Sequence, residues 1–289
     1  MVEANLEKQT KIEQKRKNYK INEKKKIIKI FTNLDNHIKD VHLAIISTSS
    51  VNRLETVKHL IKKTNPKYLI LEKLLTQSIE DLDELSKIAS ECKKIWVSKP
   101  RRSMKWFKEI KNEIFKFTPL RVYLRGGYWE LASCAIHYID LINFWTGEKV
   151  NSIKIKDTKE KWLKSKRPGF YEFTGTMIVR YNNGSELKLH SRQKGIKEDL
   201  LIVSMSNKKK WIINEAKGVA ISSDKKKLLG TLENLSSQYI KIIEDIVLTC
   251  NCELPTLEIS LSQHRLFLKA MLSSWNKLNN LKDRNVPIT

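Results

Sequence analysis

Several features that would classify the chain quickly are missing from it. None of its apolar runs reaches the roughly 18–20 residues of a membrane span, and its first residues are polar and charged, unlike a secretory signal. Its four cysteines, Cys92, Cys134, Cys250 and Cys252, are too few and too irregularly spaced for a disulfide framework or a zinc cluster. Residues 1–60 contain no glycine, which excludes a glycine-rich phosphate-binding turn there. We therefore expect a cytoplasmic protein with no membrane association and no bound metal.

The charge is strongly unbalanced, with 55 Lys and Arg against 32 Asp and Glu and a formal net charge of +23. A basic surface attracts polyanions through counterion release. Here, however, the excess is mostly lysine spread along the chain, whereas nucleic-acid readers use arginine forks and aromatic platforms. No helix-turn-helix, RNP or zinc-finger pattern is present. We expect solvated lysine faces and no specific nucleic-acid partner, with a basic nucleic-acid-binding protein kept as a rival hypothesis.

At 289 residues, the chain has room for two domains. Its first part alternates short apolar runs with segments of helical spacing, and the apolar runs resemble strands that are buried on both faces. This alternation predicts an α/β domain with a parallel sheet. The predicted strands are residues 25–31, 41–47, 67–71 and 95–97, and the predicted helices are 5–17, 52–63 and 78–92, with Ser78 as the cap of the last.

The alternation of apolar runs and helical segments ends after about Thr118. The runs of alternating apolar and polar residues that follow predict an antiparallel sheet with one solvent-exposed face. Asn182-Asn183-Gly184 is predicted to join two of these strands as a hairpin turn. These strands are predicted at 150–155, 175–181, 186–190, 200–205 and 210–213, and helices at 235–249 and 257–276. The fold class is therefore α/β plus α+β, with domains at 1–118 and 119–289.

The most informative segment runs from Gly126 to Leu141. Two glycines open a turn, and the apolar helix after it carries His137 and Asp140 three residues apart, on nearly the same face. This segment resembles the signature helix of the Gfo/Idh/MocA family of nicotinamide-dependent oxidoreductases, which reads G-G-x-x-x-D-x-G-x-H-x-x-D. The His and the last Asp match. Ser133 and Ala135 stand where that pattern has its first Asp and its next Gly.

Other segments resemble the same family in the same order. Ile45-Ile46-Ser47-Thr48-Ser49 is similar to the strand end that touches the cofactor, and Glu72-Lys73-Leu74 is similar to a Glu-Lys-Pro motif whose lysine takes part in the chemistry. Ser98-Lys99-Pro100-Arg101-Arg102 is similar to the end of the next strand. Cys252-Glu253-Leu254-Pro255-Thr256, followed by His264, is similar to members from surface-polysaccharide pathways.

The resemblance implies a partial Rossmann-like domain followed by a domain with a large open antiparallel sheet, and hydride transfer between NAD or NADP and a hydroxyl carbon of a sugar or sugar nucleotide. Lys73 and His137 would relay the hydroxyl proton. The implied cofactor-binding residues are Glu3, Ser47, Thr48, Glu72 and Lys73, and the implied substrate-binding residues are Arg101, Arg102, Trp129, Asp140 and His264. Family members form dimers or tetramers, so a homodimer or homotetramer is expected.

The resemblance leaves one part unmatched, because the glycine-rich strand-turn-helix that holds the pyrophosphate has no counterpart in residues 1–60. Three explanations are open: a gene model that starts downstream of that segment or a frameshift, a remnant that has lost cofactor binding, or completion by a separate polypeptide. A non-catalytic degenerate homologue, used for sugar binding or oligomerisation, is therefore the main alternative. In that case His137 would be a core histidine and Lys73 a solvated lysine.

Overall fold

The computed structural model describes residues 39–127, 129–192, 200–230 and 235–289, with the backbone alone at 157–160, 200 and 235–237. The predicted helix at 5–17, the predicted strand at 25–31 and Glu3 lie outside these ranges.

Over residues 39–127, the first lobe contains a three-stranded parallel sheet in the order β1-β2-β3, which confirms the predicted parallel arrangement. Leu69, Ile70 and Leu71 in the central strand are completely buried, because helices cover both faces of the sheet. The elements are β1 (Leu43–Ile46), α1 (Arg53–Thr64), β2 (Tyr68–Glu72), α2 (Ile79–Ile88), β3 (Lys94–Ser98) and α3 (Lys105–Ile114), with 3₁₀ turns at Ala89–Glu91, Pro100–Ser103 and Phe115–Phe117.

Helix α2 begins as the sequence predicts. The Ser78 hydroxyl accepts a hydrogen bond from the backbone N–H of Asp81 at 3.0 Å, which satisfies one of the free N–H groups of the first turn. The acidic side chains Glu80 and Asp81 in that turn complement the positive end of the helix dipole.

In the part of the second lobe that the structure describes, eight strands form one sheet in the order β11-β10-β9-β8-β4-β7-β6-β5. Helix α4 (Leu131–Thr146) contacts β6 and β7. The strands are β4 (Arg121–Arg125), β5 (Val150–Lys164), β6 (Tyr171–Tyr181), β7 (Glu186–Ser191), β8 (Leu200–Ser204), β9 (Lys210–Asn214), β10 (Val219–Ser222) and β11 (Lys227–Leu229). The hairpin turn between β6 and β7 is confirmed, with Gly184 at φ +82°.

This sheet is mixed, whereas the sequence predicted an antiparallel one. The difference comes from β4, a strand that was not predicted, which pairs parallel with β7 and antiparallel with β8. Its burial alternates, because Val122 and Leu124 point into the core between exposed Arg121 and Arg125. The short strands β10 and β11 were also not predicted.

Two helices and a buried tail complete the chain. Helix α5 (Leu235–Thr249) packs Ile242 and Ile246 against the first-lobe sheet, and α6 (Leu257–Asn279) contacts β5, α2 and α4. The tail then joins the lobes, because Val286 N donates to Gln77 O at 3.0 Å and Tyr171 N donates to Pro287 O at 2.8 Å. Within the described ranges, no helix is long and apolar enough to cross a bilayer.

Candidate active site

The carboxyl ends of the three parallel strands meet at one edge of the first-lobe sheet, which is where open α/β sheets bind ligands. Ser47 and Thr48 follow β1 and are exposed, Lys73 follows β2 and is half-buried, and Lys99 follows β3 and is buried. The second lobe faces this edge, since Lys73 Nζ donates a hydrogen bond to the carbonyl oxygen of Ser133 in the first turn of α4, at 3.1 Å. The edge is therefore an interface between the lobes.

His137 lies one helical turn after Ser133, so the structure brings it towards Lys73. The imidazole is half-buried, and its Nδ1 is buried with no hydrogen-bond partner in the described part of the chain. Burial, together with the positive charges of Arg101, Lys73 and Lys99, lowers the pKa of His137 well below its usual value of 6.5. The ring is consequently neutral at neutral pH.

A carboxylate from the second lobe lies against the first turn of α4. Glu172 of β6 is 1% exposed, and it accepts hydrogen bonds from the Ser133 hydroxyl and from Ser133 N, the latter at 3.3 Å. Burial raises the pKa of Glu172 against the effect of these hydrogen bonds. Glu172 was not predicted as a site residue, because nothing in the sequence links β6 to the start of α4.

Asp140 is the centre of a buried ionic network. Arg102 binds it in a bidentate manner, with Nε–Oδ2 at 2.8 Å and Nη2–Oδ1 at 2.7 Å, and Gln263 Nε2 approaches Oδ1 at 3.4 Å. Lys99 Nζ lies 3.7 Å from the same Oδ1. The network connects the turn after β3 to α4 and α6.

Lys99 is a further residue of this edge that was not predicted. It is 1% exposed and donates to Gln263 Oε1 at 2.5 Å. Burial lowers its pKa to about 8, although Asp140 opposes the shift. Its position directly after a buried strand, like that of Lys73, was the signal that could have identified it.

The other residues assigned to the substrate by resemblance have protein partners. Arg101 forms a bidentate pair with Glu215, at 3.0 and 2.9 Å, and Trp129 Nε1 donates to the carbonyl of His190 at 2.9 Å. Arg102 is held by Asp140. Substrate binding by Arg101, Arg102 and Trp129 therefore stays a prediction.

Arg53 occupies the carboxyl edge from the first turn of α1 and was not predicted. It is completely buried, and its guanidinium donates to three backbone carbonyls, those of Ile46, Thr48 and Glu72, with Nη1 2.5 Å from Glu72 O and 3.3 Å from Ile46 O. Burial lowers the pKa of Arg53 to about 10, opposed by Glu72. Arginine is common on exposed helices, so its sequence position alone gave no indication of this role.

His264 lies on the buried face of α6 and is 0% exposed. Its Nδ1 is 2.7 Å from the carbonyl oxygen of Ser260, and its Nε2 is buried with no partner among the described residues. Burial and the charge of Lys99 lower its pKa well below the usual value.

The ranges that the structure describes contain no group of three or more His, Cys, Asp or Glu residues suited to a metal ion.

Comparison with solved structures finds this two-lobe arrangement in several proteins of low sequence identity. UDP-N-acetylglucosamine 3-dehydrogenase GnnA from Acidithiobacillus ferrooxidans is 12% identical, with a TM-score of 0.69 over 93% of this chain and 87% of that one. Gal80p from Saccharomyces cerevisiae, as a super-repressor mutant, is 15% identical, with a TM-score of 0.66 over 96% and 87%. Biliverdin reductase from Synechocystis sp. PCC 6803, with biliverdin and NADP+, is 14% identical, with a TM-score of 0.60 over 79% and 78%.

These neighbours are oxidoreductases and relatives of the Gfo/Idh/MocA type. The chain has the Gfo/Idh/MocA fold. The match is structural, since no protein-family model matches the sequence and no curated protein is found as a relative.

The Gfo/Idh/MocA fold implies a nicotinamide cofactor, and the described residues fit one end of it. Exposed Ser47 and Thr48 lie beside half-buried Lys73 at the carboxyl edge, and the partly exposed ring of His137 is near them. These hydroxyl, ammonium and imidazole groups are the ones that would hold the nicotinamide and its ribose. The pyrophosphate end has no counterpart among the described residues, because residues 39–60 contain no glycine turn.

Proposed function

We propose that the chain is an NAD(P)-dependent oxidoreductase that acts on a hydroxyl carbon of a sugar or sugar nucleotide. The observation that carries this proposal is the hydrogen bond from Lys73 to the Ser133 carbonyl, which puts a basic side chain of the first lobe next to the helical turn that carries His137. Lys73 follows β2 at the carboxyl edge of the parallel sheet, where open α/β sheets bind ligands.

The chain's own residues suit the proton transfer of this reaction. When bound, NAD(P) supplies the acceptor or donor of the hydride. Oxidation of a hydroxyl carbon also releases the hydroxyl proton, and His137, being neutral at neutral pH, can accept it. Lys73 can donate a hydrogen bond to the reacting oxygen and relay the proton. Ser47, Thr48 and Glu72 would contact the cofactor.

The sugar substrate is supported by the neighbour GnnA, which is named as acting on UDP-N-acetylglucosamine. NAD(P) is supported by the neighbour that holds NADP+. We extend the proposal to a role in surface-polysaccharide synthesis and to assembly as a homodimer or homotetramer. We also propose a cytoplasmic location, because the four free cysteines suit a reducing compartment. We divide the chain into a dinucleotide-binding domain at 1–118 and a substrate domain at 119–289, because the two sheets share no strand.

Calorimetry with NADH and NADPH, followed by turnover assays with sugar nucleotides, tests the proposal. We expect binding in the micromolar to millimolar range and loss of turnover in Lys73→Met and His137→Gln. Lys87→Met, which changes an exposed lysine of α2, is the matched control and should retain activity. The proposal is wrong if this chain, and a version extended upstream, bind neither cofactor.

One observation favours the second candidate, a non-catalytic homologue. Arg53 uses the carbonyl groups of Ile46, Thr48 and Glu72, so this edge is partly occupied by the chain itself. The neighbour described as a super-repressor also has this fold. Such a protein would bind a sugar or oligomerise without turnover. Detectable turnover that disappears in Lys73→Ala would eliminate this candidate.

A further inference from the structure

A groove of about 790 Å³ runs between β5 and α6, and none of the residues described above for the candidate active site lines it. One wall is the strand segment 151–155, and the other is one face of α6. Trp275 of α6 packs edge-to-face against Trp162 further along β5, with ring centroids 5.2 Å apart, so the helix is fixed beside the strand. The volume is within the range of pockets that hold drug-sized ligands, so the groove has room for a short peptide segment.

The strand wall of this groove is a free sheet edge. Strand β6 lies on one side of β5, and within the described ranges no strand lies on its other side. The backbone groups of residues 151–155 that point to that side have no backbone partner in the described part of the chain. Free N–H and C=O groups at a sheet edge are a template for pairing with another extended segment. The groove therefore offers main-chain hydrogen bonds to an extended ligand.

The side chains of the groove combine apolar surface with lysine. Ile153 and Ile155 of the strand line it and are half-buried against the core. Lys154 of the strand and Lys269 and Lys277 of the helix also line it, and all three are exposed. No aspartate or glutamate among the described residues lines the groove, and Lys154 and Lys277 have no ion-pair partner among them. The groove therefore carries uncompensated positive charge beside an apolar surface.

These features favour one kind of occupant over three others. A second copy of this chain would bring a net charge of +23 to a positive groove, and facing like charges oppose association. Single-stranded nucleic acid binds to basic grooves that also present aromatic side chains, and no aromatic residue or arginine of the described chain lines this one. Lysine on an edge strand can simply prevent pairing, but that role accounts for Lys154 and leaves the two lysines of α6 unexplained.

We propose that the groove binds an extended acidic peptide segment of another protein, which adds a strand to the free edge of β5. Main-chain hydrogen bonds to residues 151–155 would provide the register, as in other cases of β-strand addition. Apolar side chains of the peptide would pack on Ile153 and Ile155, and its carboxylates would pair with Lys154 and Lys277. The inference is independent of the proposed function, because it uses none of the residues assigned to catalysis.

Fluorescence anisotropy with a labelled peptide of alternating valine and aspartate, blocked at both ends, tests the proposal on the unaltered full chain. We expect binding that weakens as salt concentration rises. The same peptide with asparagine in place of aspartate keeps the main chain and loses the charge, so it should bind more weakly. The valine–aspartate peptide with every backbone nitrogen methylated keeps the charge and loses its main-chain donors, so it should also bind more weakly.

Two double variants and amide hydrogen exchange locate the binding. Lys154→Gln with Lys277→Gln should weaken binding of the valine–aspartate peptide roughly three- to tenfold, the effect of losing two exposed ion pairs. Lys62→Gln with Lys87→Gln removes the same charge from exposed lysines of the first lobe, and this control should bind like the wild type. The bound peptide should slow amide exchange in the segment 151–155, because its free N–H groups acquire partners.

The inference is wrong if the valine–aspartate peptide does not bind at millimolar concentration, in which case the lysines only protect the strand edge. It is also wrong if the asparagine or the N-methylated peptide binds equally well, if both double variants lose affinity equally, or if exchange slows only outside 151–155. Tighter binding of a single-stranded oligonucleotide in the same groove would reassign it to nucleic acid. The peptide comparisons use the wild type and do not depend on whether a variant folds, and none of the measurements involves NAD(P) or turnover.

Discussion

The side chain of Lys73 and the main chain of Ser133 are joined by a hydrogen bond of 3.1 Å, which connects the end of a first-lobe strand to the first turn of α4. The two residues are 60 positions apart in sequence. Since His137 follows Ser133 by one turn, this contact holds Lys73 against the same helix that carries His137, and these are the two residues that we assign to proton transfer.

Replacing Lys73 by Met should separate stability from activity. Lys73 is half-buried and makes one hydrogen bond to a backbone oxygen, so we expect a loss of only about 1 kcal/mol in the free energy of unfolding. Turnover should fall by at least two orders of magnitude, the range for loss of an acid–base group. Denaturant unfolding and turnover measured on the same preparation provide the check, and a loss of both in proportion would indicate a purely structural role.

The lowered pKa of His137 predicts the acid limb of the pH–rate profile. Burial and the neighbouring cations Arg101, Lys73 and Lys99 keep the ring neutral, so activity that requires neutral His137 should persist below the usual pKa of 6.5. Turnover should decline only at a more acidic pH. His137→Gln should abolish this limb along with most of the rate, and an inflection at or above 6.5 would contradict the neutral state.

Local sequence patterns were sufficient for most of the elements. Continuous apolar runs at 41–47 and 67–71 indicated strands buried on both faces, and Ser78 with Asp81 indicated the start of α2. Strand β4 was missed because Arg121–Arg125 has only two apolar core residues and stands between two glycines and a proline-containing segment. Its pairing with β7, 65 residues later, is a property of tertiary structure.

The site was predictable only where its residues belong to a local motif. Lys73 and His137 were predicted as site residues from short segments, whereas Arg53 and Glu172 join the candidate site through contacts with groups of other elements. Such contacts depend on which strand ends meet, and this is decided by the packing of the two lobes. Lys99 lay within a segment already singled out, but its burial could not be recognised from sequence.

Lys99 should make the free energy of unfolding vary with pH in the alkaline range. Burial lowers its pKa from 10.5 to about 8 in the folded protein, so the unfolded chain binds more protons between these values and stability rises with pH across that window. At about 1.4 kcal/mol for each pKa unit, the rise is on the order of 3 kcal/mol. Denaturant unfolding at several pH values should show this rise in the difference between the free energies of unfolding of the wild type and Lys99→Met, in which the contributions of the other titrating groups cancel. Parallel pH curves for the two proteins would contradict the assignment.

The Asp140 network should dominate the stability of the contact between the lobes. Asp140→Asn leaves buried Arg102 and Lys99 without a counter-charge, and we expect a loss of about 3–5 kcal/mol in the free energy of unfolding. The exposed pair Arg180–Glu186 is the control, since Glu186→Gln should cost less than about 1 kcal/mol. Urea denaturation compares them, and similar losses in the two variants would show that burial contributes nothing.

Glu172 offers the sharpest distinction between charge and hydrogen bonding. Its raised pKa means that the folded protein favours the protonated carboxyl, so the contribution of this group to stability is complete below its ordinary pKa and is lost as pH rises through the folded value. Glu172→Gln keeps both contacts with Ser133, because its amide oxygen can accept from Ser133 N and its amide nitrogen can donate to the hydroxyl.

Glu172→Gln should therefore match the wild type at acidic pH and be at least as stable at neutral pH, whereas Glu172→Ala should lose roughly 1–3 kcal/mol at both because the Ser133 donors lose their acceptor. Thermal unfolding of the three proteins at acidic and neutral pH makes the comparison. If Glu172→Gln were as destabilised as Glu172→Ala at neutral pH, the negative charge itself, acting on the positive N-terminal end of α4, would be the stabilising element.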